Sequence, residues 1–565
     1  MNRALGLAAA AVVGTLVLSP LASSTAQAGS TATRQQAAGH RPATLPGGYK
    51  HLVVIYEENH SFDNLYGGWG SVNGRHVEGR SDASVARQTQ VDQNGDAYGC
   101  LLQDDVNLTS PPLSTRCKDS HNGGYNSHFF NRPFSIDNYI RPSDMTCPPP
   151  GAFQANGFLK GTGDPGGCTR DLVHRFYQEQ YQLNGGRQNR YETGSDAVGL
   201  TMGTYKTRQL PIYRYLHQAG APKYVLADNF HQAAFGGSFL NHQWLVAARS
   251  PFDTDPTATY TALGAPAKNS VLDANGMPTS YPQYAAGPPA SGSTPGHDKV
   301  VDGQLTQSCA EIGVDKTDDY ADACGDYAVN TIQPGSVPHG TGQYLPLIDD
   351  TTYPNIGDRM SDAGMTWAWY SGRWHKALQD AANASTPGYT KKAPLFQYHH
   401  QPLNYFANYA PGQPGRSHLR DEKRFFAAAR GGFLPTVSFV KPYGAENEHP
   451  GYASESKGSD HLVKLLKAIT NGPEAKSTLV VVTYDEFGGQ WDHVSPPKVD
   501  KWGPGTRIPA LVLSRSMKHS GVDHTTYDTT SILATIERSY GLEALSTRDA
   551  RVRGLRNAVA IGGRR

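Results

Sequence analysis

The sequence predicts an α/β fold: a central, mostly parallel sheet flanked by helices, with long disulfide-stapled loop excursions. Three observations carry this reading. Short apolar runs alternate with segments of helical periodicity, two long Gly/Pro-rich stretches interrupt the alternation and hold five of the six cysteines, and acidic residues follow directly on two of the apolar runs.

The apolar runs come first. His51–Tyr56 (HLVVIY) is continuously apolar after its histidine, as suits a central strand buried on both faces. Similar runs are Lys223–Ala227 (KYVLA), Leu434–Val440 (LPTVSFV), Ser477–Tyr484 (STLVVVTY) and Arg507–Ser514 (RIPALVLS). Helical patterns fall at Asp171–Tyr181, Phe239–Arg249, Asp460–Ile469 and Thr529–Tyr540, the last with Ile532, Leu533, Ile536 and Tyr540 on one face. Strands alternating with helices imply a mostly parallel sheet, whose ligands gather beyond the carboxyl ends of the strands.

The two excursions, residues 71–160 and 251–345, are rich in Gly, Pro, Ser, Thr and Asp. They read either as surface walls around a site or as solvated loops without a chemical role. At the amino end, Met-Asn-Arg, an apolar run from Leu5 to Leu21 and the small-residue motif Ala26-Gln27-Ala28 read as a secretory signal peptide cleaved after Ala28. A membrane anchor needs about 20 apolar residues with basic flanks, and the Ser19-Pro20 break argues against one. The expected product is extracellular, without stable membrane insertion. Residues 29–46 read as a flexible lead-in and 47–562 as a single catalytic domain.

An exported chain with six cysteines suggests three disulfides. Neighbour pairing is expected, Cys100 with Cys117, Cys147 with Cys168 and Cys309 with Cys324, because each pair brackets a loop-like stretch. No pair has the CxxC spacing of a zinc site. The net charge of +1 implies no nucleic-acid partner.

Chemistry is suggested at three places. Glu58 and Asn59 follow the first strand in YEENHSFDNLYGG, and Asp485 and Glu486 follow another in TYDEFGGQWDHVSPP, where Gly488 and Gly489 permit a sharp turn. Two oxygen-bearing pairs at two strand ends suit a hard divalent cation, and without one the carboxylates would raise each other's pKa. Gly236-Gly237-Ser238 opens a helix, so Ser238 reads either as a plain N-cap or as a hydroxyl at an anion-binding helix terminus. His174, His399, His400 and His449 read as phosphate-binding or proton-donating groups, or as structural histidines, and His493, in the turn after Asp485 and Glu486, reads as a group that supports a ligand or meets substrate, or as a structural histidine. With ordinary pKa values such histidines would be largely protonated between about pH 5 and 6.5.

Together, ENHSFDNLYG, ADNFHQAAFGGSFLNHQW and TYDEFGGQWDHVSPP resemble the bacterial phosphoesterase family of acid phosphatases and phospholipases C, within the alkaline-phosphatase-like superfamily. The similarity runs from about His51 to near Gly541. The resemblance implies an alkaline-phosphatase-like central sheet, one divalent metal ion (Ca, Mg, Mn and Zn all being compatible) and a transiently phosphorylated hydroxyl. It implies Glu58, Asn59, Asp485 and Glu486 as metal ligands, although some relatives carry Asp where this chain has Glu486. Ser238 would be the nucleophile that also touches the metal, His174 and His400 would contact phosphate, and His449 would protonate the leaving group. Serine in GGSFLNH is similar to the acid phosphatase branch, which acts on small phosphorylated substrates. The expectation is a secreted, metal-dependent acid phosphatase working through phosphoserine. The alternative is a phospholipase C cutting phospholipid headgroups.

Overall fold

The main sheet is built from eight strands: β1 (His51–Glu57), β2 (Lys223–Ala227), β3 (Trp367–Ser371), β4 (Leu419–Asp421), β5 (Val437–Lys441), β6 (Thr478–Tyr484), β7 (Ala510–Ser514) and β8 (Gly521–Asp523). Their spatial order is β4-β3-β5-β1-β6-β7-β2-β8, and β7 alone runs antiparallel to its neighbours. The computed structural model describes residues 44–563 except 93, 103–112, 121–124, 140–170, 196, 252–281, 285–298, 302–328, 330, 341–343, 382–392 and 394.

β1 lies at the centre, and Leu52 to Tyr56 are fully buried, as expected for a strand covered on both faces. Its seven residues pair in register with the seven of β6, from His51 opposite Thr478 to Glu57 opposite Tyr484. Equal lengths in register bring both strands to an end at one level, so Glu58 and Asp485 emerge side by side. β5 runs parallel on the other flank of β1, with Ile55 opposite Val440, and delivers Lys441 to the same edge.

The helices needed to place the site are α1 (Phe62–Leu65), α2 (Phe176–Leu183), α3 (Ser238–Ala247), α4 (Glu422–Gly431), α5 (Glu455–Thr470) and α6 (Thr530–Tyr540). α5 packs on α4, and α3 packs on α6.

The structure moves several expected boundaries. The helix expected at Asp171–Tyr181 begins only at Phe176, because Arg175 is extended and the preceding residues turn His174 toward the strand ends. α5 begins at Glu455, a turn before the expected Asp460. Ser454 caps it by accepting from the Lys457 amide, and its first turn, Glu455 to Gly458, has no apolar side chain, so apolar periodicity does not reveal it. β5 and β7 start later than expected, past Pro435 and Pro509, which have no N–H to give a ladder. β3, whose WAWYS run is wholly buried, was not among the expected strands; its aromatics suit a pleated, packed surface.

The first excursion is not simply surface. Tyr98, Leu101 and Phe129 are buried, and short strand pairs form around a disulfide between Cys100 and Cys117, with Cα atoms 6.0 Å apart. The expected pairs Cys147–Cys168 and Cys309–Cys324 lie outside the described residues, as do the signal-like segment and most of 251–345. No helix among the described residues is long and apolar enough to cross a membrane.

Candidate active site at the strand ends

The loop between β2 and α3 carries Ser238 to the strand ends. Gly236 makes this path possible: it has φ +92°, and a Cβ there would lie 2.5 Å from the Phe176 amide nitrogen. Gly237 is the helix cap and Ser238 the first helical residue, with no side-chain cap bond. The plain N-cap reading of Ser238 therefore does not hold. Its hydroxyl lies 3.1 Å from Glu58 Oε2 and 3.1 Å from Glu486 Oε1.

The second acidic pair is brought in by Gly488. Its φ is +64°, and a Cβ would collide with the Asn59 carbonyl oxygen, so only glycine lets the turn after β6 close against the turn after β1. The Gly488 amide donates to Glu486 Oε2 at 2.6 Å, leaving Oε1 to Ser238 and to His174 Nε2 at 3.2 Å. His174 Nε2 is also 3.4 Å from Asn59 Nδ2. His400 Nε2 is 2.9 Å from Glu58 Oε1, and His449 Nε2 is 3.8 Å from Glu58 Oε2. All eight expected residues, Glu58, Asn59, His174, Ser238, His400, His449, Asp485 and Glu486, thus meet in one centre. Of the adjacent histidines it is His400 that reaches Glu58; the His399 ring centroid lies 4.5 Å from that of His400.

Two further residues belong here that the sequence reading missed. Lys441 is fully buried; its ammonium pairs with Glu58 Oε1 and donates to the Glu57 carbonyl at 3.1 Å. The available signal was a lysine closing the apolar run Leu434–Val440. His242 lies four residues after Ser238 on α3 and hence on the same helix face. Its Nδ1 is 2.7 Å from the Ser238 carbonyl and 3.8 Å from Asp485 Oδ2.

The electrostatics follow from burial. Asp485 is pushed well up by burial and then by the charges of Glu58 and Glu486; Glu486 is pushed up by burial and Glu58. Burial also pushes Glu58 up, but His400 and Lys441 outweigh it and hold the carboxyl well below its usual range. Burial lowers His400 to about 4, so the expectation of an imidazole already protonated at pH 5 to 6.5 fails there, and burial lowers His449 as well.

The residues fit a divalent cation. Asn59 Oδ1 and Asp485 Oδ2 are buried acceptors without a hydrogen-bond donor, and such atoms are costly unless an ion or water meets them. Three carboxylates share the centre, with Lys441, among the described residues, the one permanently charged side chain paired to them. Oxygen donors of this kind suit a hard ion.

His493 has a different role. Its Nδ1 lies 2.5 Å from Asp63 Oδ2, within a network where Arg507 binds Asp492 with Nε at 2.9 Å and Nη2 at 3.2 Å. It holds the loops after β1 and β6 together and does not join the centre above.

Fold and site together define the class: an α/β protein with a hydroxyl, carboxylate and imidazole centre at the strand ends of a mostly parallel sheet. The Phosphoesterase family model matches residues 49–543, and the chain belongs to that family, one of phosphoric ester hydrolases. It is similar to phospholipase C A of Mycobacterium tuberculosis (strain H37Rv), 22% identical over 87% of this chain and 73% of that one. It is also similar to the non-hemolytic phospholipase C of Burkholderia pseudomallei, 29% identical over 37% of this chain but spanning only 34% of the relative's length. Among solved structures, a protein in the alkaline phosphatase superfamily from Vibrio parahaemolyticus overlaps 34% of this chain and 48% of its own, with 11% identity and a TM-score of 0.20.

Proposed function

We propose that the protein is a secreted, metal-dependent acid phosphatase that hydrolyses phosphomonoesters through phosphoserine at Ser238. The observation that carries this reading is the Ser238 hydroxyl held between Glu58 and Glu486 at the amino end of α3. A divalent ion held by Glu58, Asn59, Ser238, Asp485 and Glu486 would lower the hydroxyl pKa and neutralise phosphate charge. Glu486, whose Oε1 lies 3.1 Å from the hydroxyl, accepts the Ser238 proton. Ser238 Oγ then bonds to phosphorus as the ester P–O bond breaks, and the departing oxygen takes a proton from His449. The incoming phosphate charge favours the protonated imidazole that burial alone disfavours. His174 and His400 contact phosphate oxygens, and water releases phosphate from the serine.

A second reading, a phospholipase C acting on headgroup phosphodiesters, is favoured by the names of the relatives. One experiment separates the two: hydrolysis of p-nitrophenyl phosphate, its phosphocholine ester and phosphatidylcholine vesicles by the purified mature chain. Fastest turnover of the monoester is expected. Preferential vesicle cleavage would overturn the phosphatase reading in favour of the lipase, and no hydrolysis of any of the three would overturn both.

A further inference from the structure

Glu58 turns its two oxygens to different neighbours. Oε2 lies 3.1 Å from Ser238, with Asn59, Asp485 and Glu486 contributing to an all-oxygen set. Oε1 faces two imidazoles: ligand atoms of Glu58, His242 and His400 lie within 4.8 Å of one another. The His242 and His400 rings are stacked, with centroids 5.1 Å apart and planes within 8°. His242 gives its Nδ1 proton to the Ser238 carbonyl, and this leaves a lone pair on Nε2, which is fully buried and without a partner. Two imidazole nitrogens and a carboxylate oxygen form a donor set suited to zinc. A cation already stands at this place. The Lys441 ammonium is on Glu58 Oε1, and Lys441 is the one buried lysine among the described residues. It is kept there by the Glu57 carbonyl at 3.1 Å and by the Tyr56 ring, 5.2 Å away.

We propose that the Lys441 ammonium occupies the position of a second cation, in a half-site made by Glu58 Oε1, His242 and His400, and thereby holds this centre to a single divalent ion. The inference rests on the reading above that Glu58 is a ligand of the first ion. The physical reason is charge. Glu58, Asp485 and Glu486 carry more negative charge than one divalent ion neutralises, and a lysine fixed by the backbone supplies the remainder without depending on metal supply. The same lysine excludes zinc by repulsion and by filling the volume.

The test is zinc stoichiometry by native mass spectrometry after saturation and desalting, alongside the zinc-dependent rise in melting temperature. The intact chain is expected to hold one ion and Lys441→Met two, with the larger zinc-dependent rise in melting temperature. Adding His242→Gln to Lys441→Met should return the count to one. Lys441→Gln, which keeps a donor for the Glu57 carbonyl, serves the same purpose where the methionine variant does not fold. One ion in both the intact chain and the lysine variants overturns the inference while leaving the proposed metal site standing. Two ions in the intact chain overturn it as well, because the lysine then excludes nothing. No ion in the intact chain overturns the metal reading itself.

Discussion

Two buried acidic clusters are fed by the same two strand ends, and they differ in one respect. β1 leads to Glu58 and then to Asp63, and β6 leads to Asp485 and then to Asp492. Around Asp63 and Asp492 every carboxylate oxygen has a donor. The Arg507 fork binds Asp492, its Nη2 lies 3.4 Å from Asp63 Oδ1, and Asp63 Oδ2 meets both the amide and the ring of His493. Around Glu58 and Asp485, by contrast, Asn59 Oδ1 and Asp485 Oδ2 stay without donors, and burial with mutual repulsion pushes Asp485 and Glu486 up. Equal residue types therefore serve opposite ends. A satisfied cluster fastens loops; an unsatisfied one keeps its capacity for an ion and a substrate, at a cost in stability.

The sharpest way to break this contrast is Ser238→Ala. Because Ser238 makes no cap bond, its loss should change folding stability by less than about 1 kcal/mol. Turnover should fall a thousandfold or more, about 4 kcal/mol in the barrier. p-Nitrophenyl phosphate kinetics with a parallel thermal melt check both; a folded variant keeping over about a tenth of the turnover, a loss under about 1.4 kcal/mol, would sink the phosphoserine mechanism.

Arg507→Met should show the reverse signature. It strands Asp63 and Asp492 in the core, and about 3 kcal/mol of stability should go, read from urea unfolding. Turnover per folded molecule should change far less than for Ser238→Ala. A loss of activity without loss of stability would mean that this cluster also takes part in chemistry.

The smallest effect concerns pH. Burial pushes His493 down, but its bond to Asp63 and the Asp63 charge outweigh that and raise it above 6.5. Its contribution to stability is thus fully present below pH 6.5 and lost as pH rises through the raised value. Asp63 is also pushed up by burial, yet the His493 bond and charge hold it below 3.8, so its contribution is present above pH 3.8 and lost as pH falls. The melting-temperature gap between the intact protein and His493→Gln should be widest between these two values and narrow toward alkaline pH. A gap independent of pH would refute the charged pair.

Much of the scaffold is legible in the chain because it depends on local pattern. HLVVIY and STLVVVTY each hold an unbroken apolar stretch, Leu52–Ile55 and Leu479–Val482, as strands covered on both faces do. The acidic pairs could be placed at strand ends for the same reason, and the three motifs supplied the residue set that the folded chain gathers. WAWYS and the extended stretch before Phe176 answer to burial and long-range contacts rather than to periodicity, and the early start of α5 answers to its Ser454 cap, over a first turn without apolar side chains.

What the chain alone does not contain is which polar groups find partners. His493 and His449 are alike as letters, but one is bonded to Asp63 and the other faces Glu58. Ser238 has the residue type and position of a helix cap, and becomes a hydroxyl between two carboxylates only when Gly236 and Gly488 allow three loops to close. Lys441 and His242 enter the centre through the register of β5 on β1 and the seating of α3. Those placements are separated by up to hundreds of residues along the chain. Partnering is a property of distances a few ångströms long, and only the packed sheet and its loops set them.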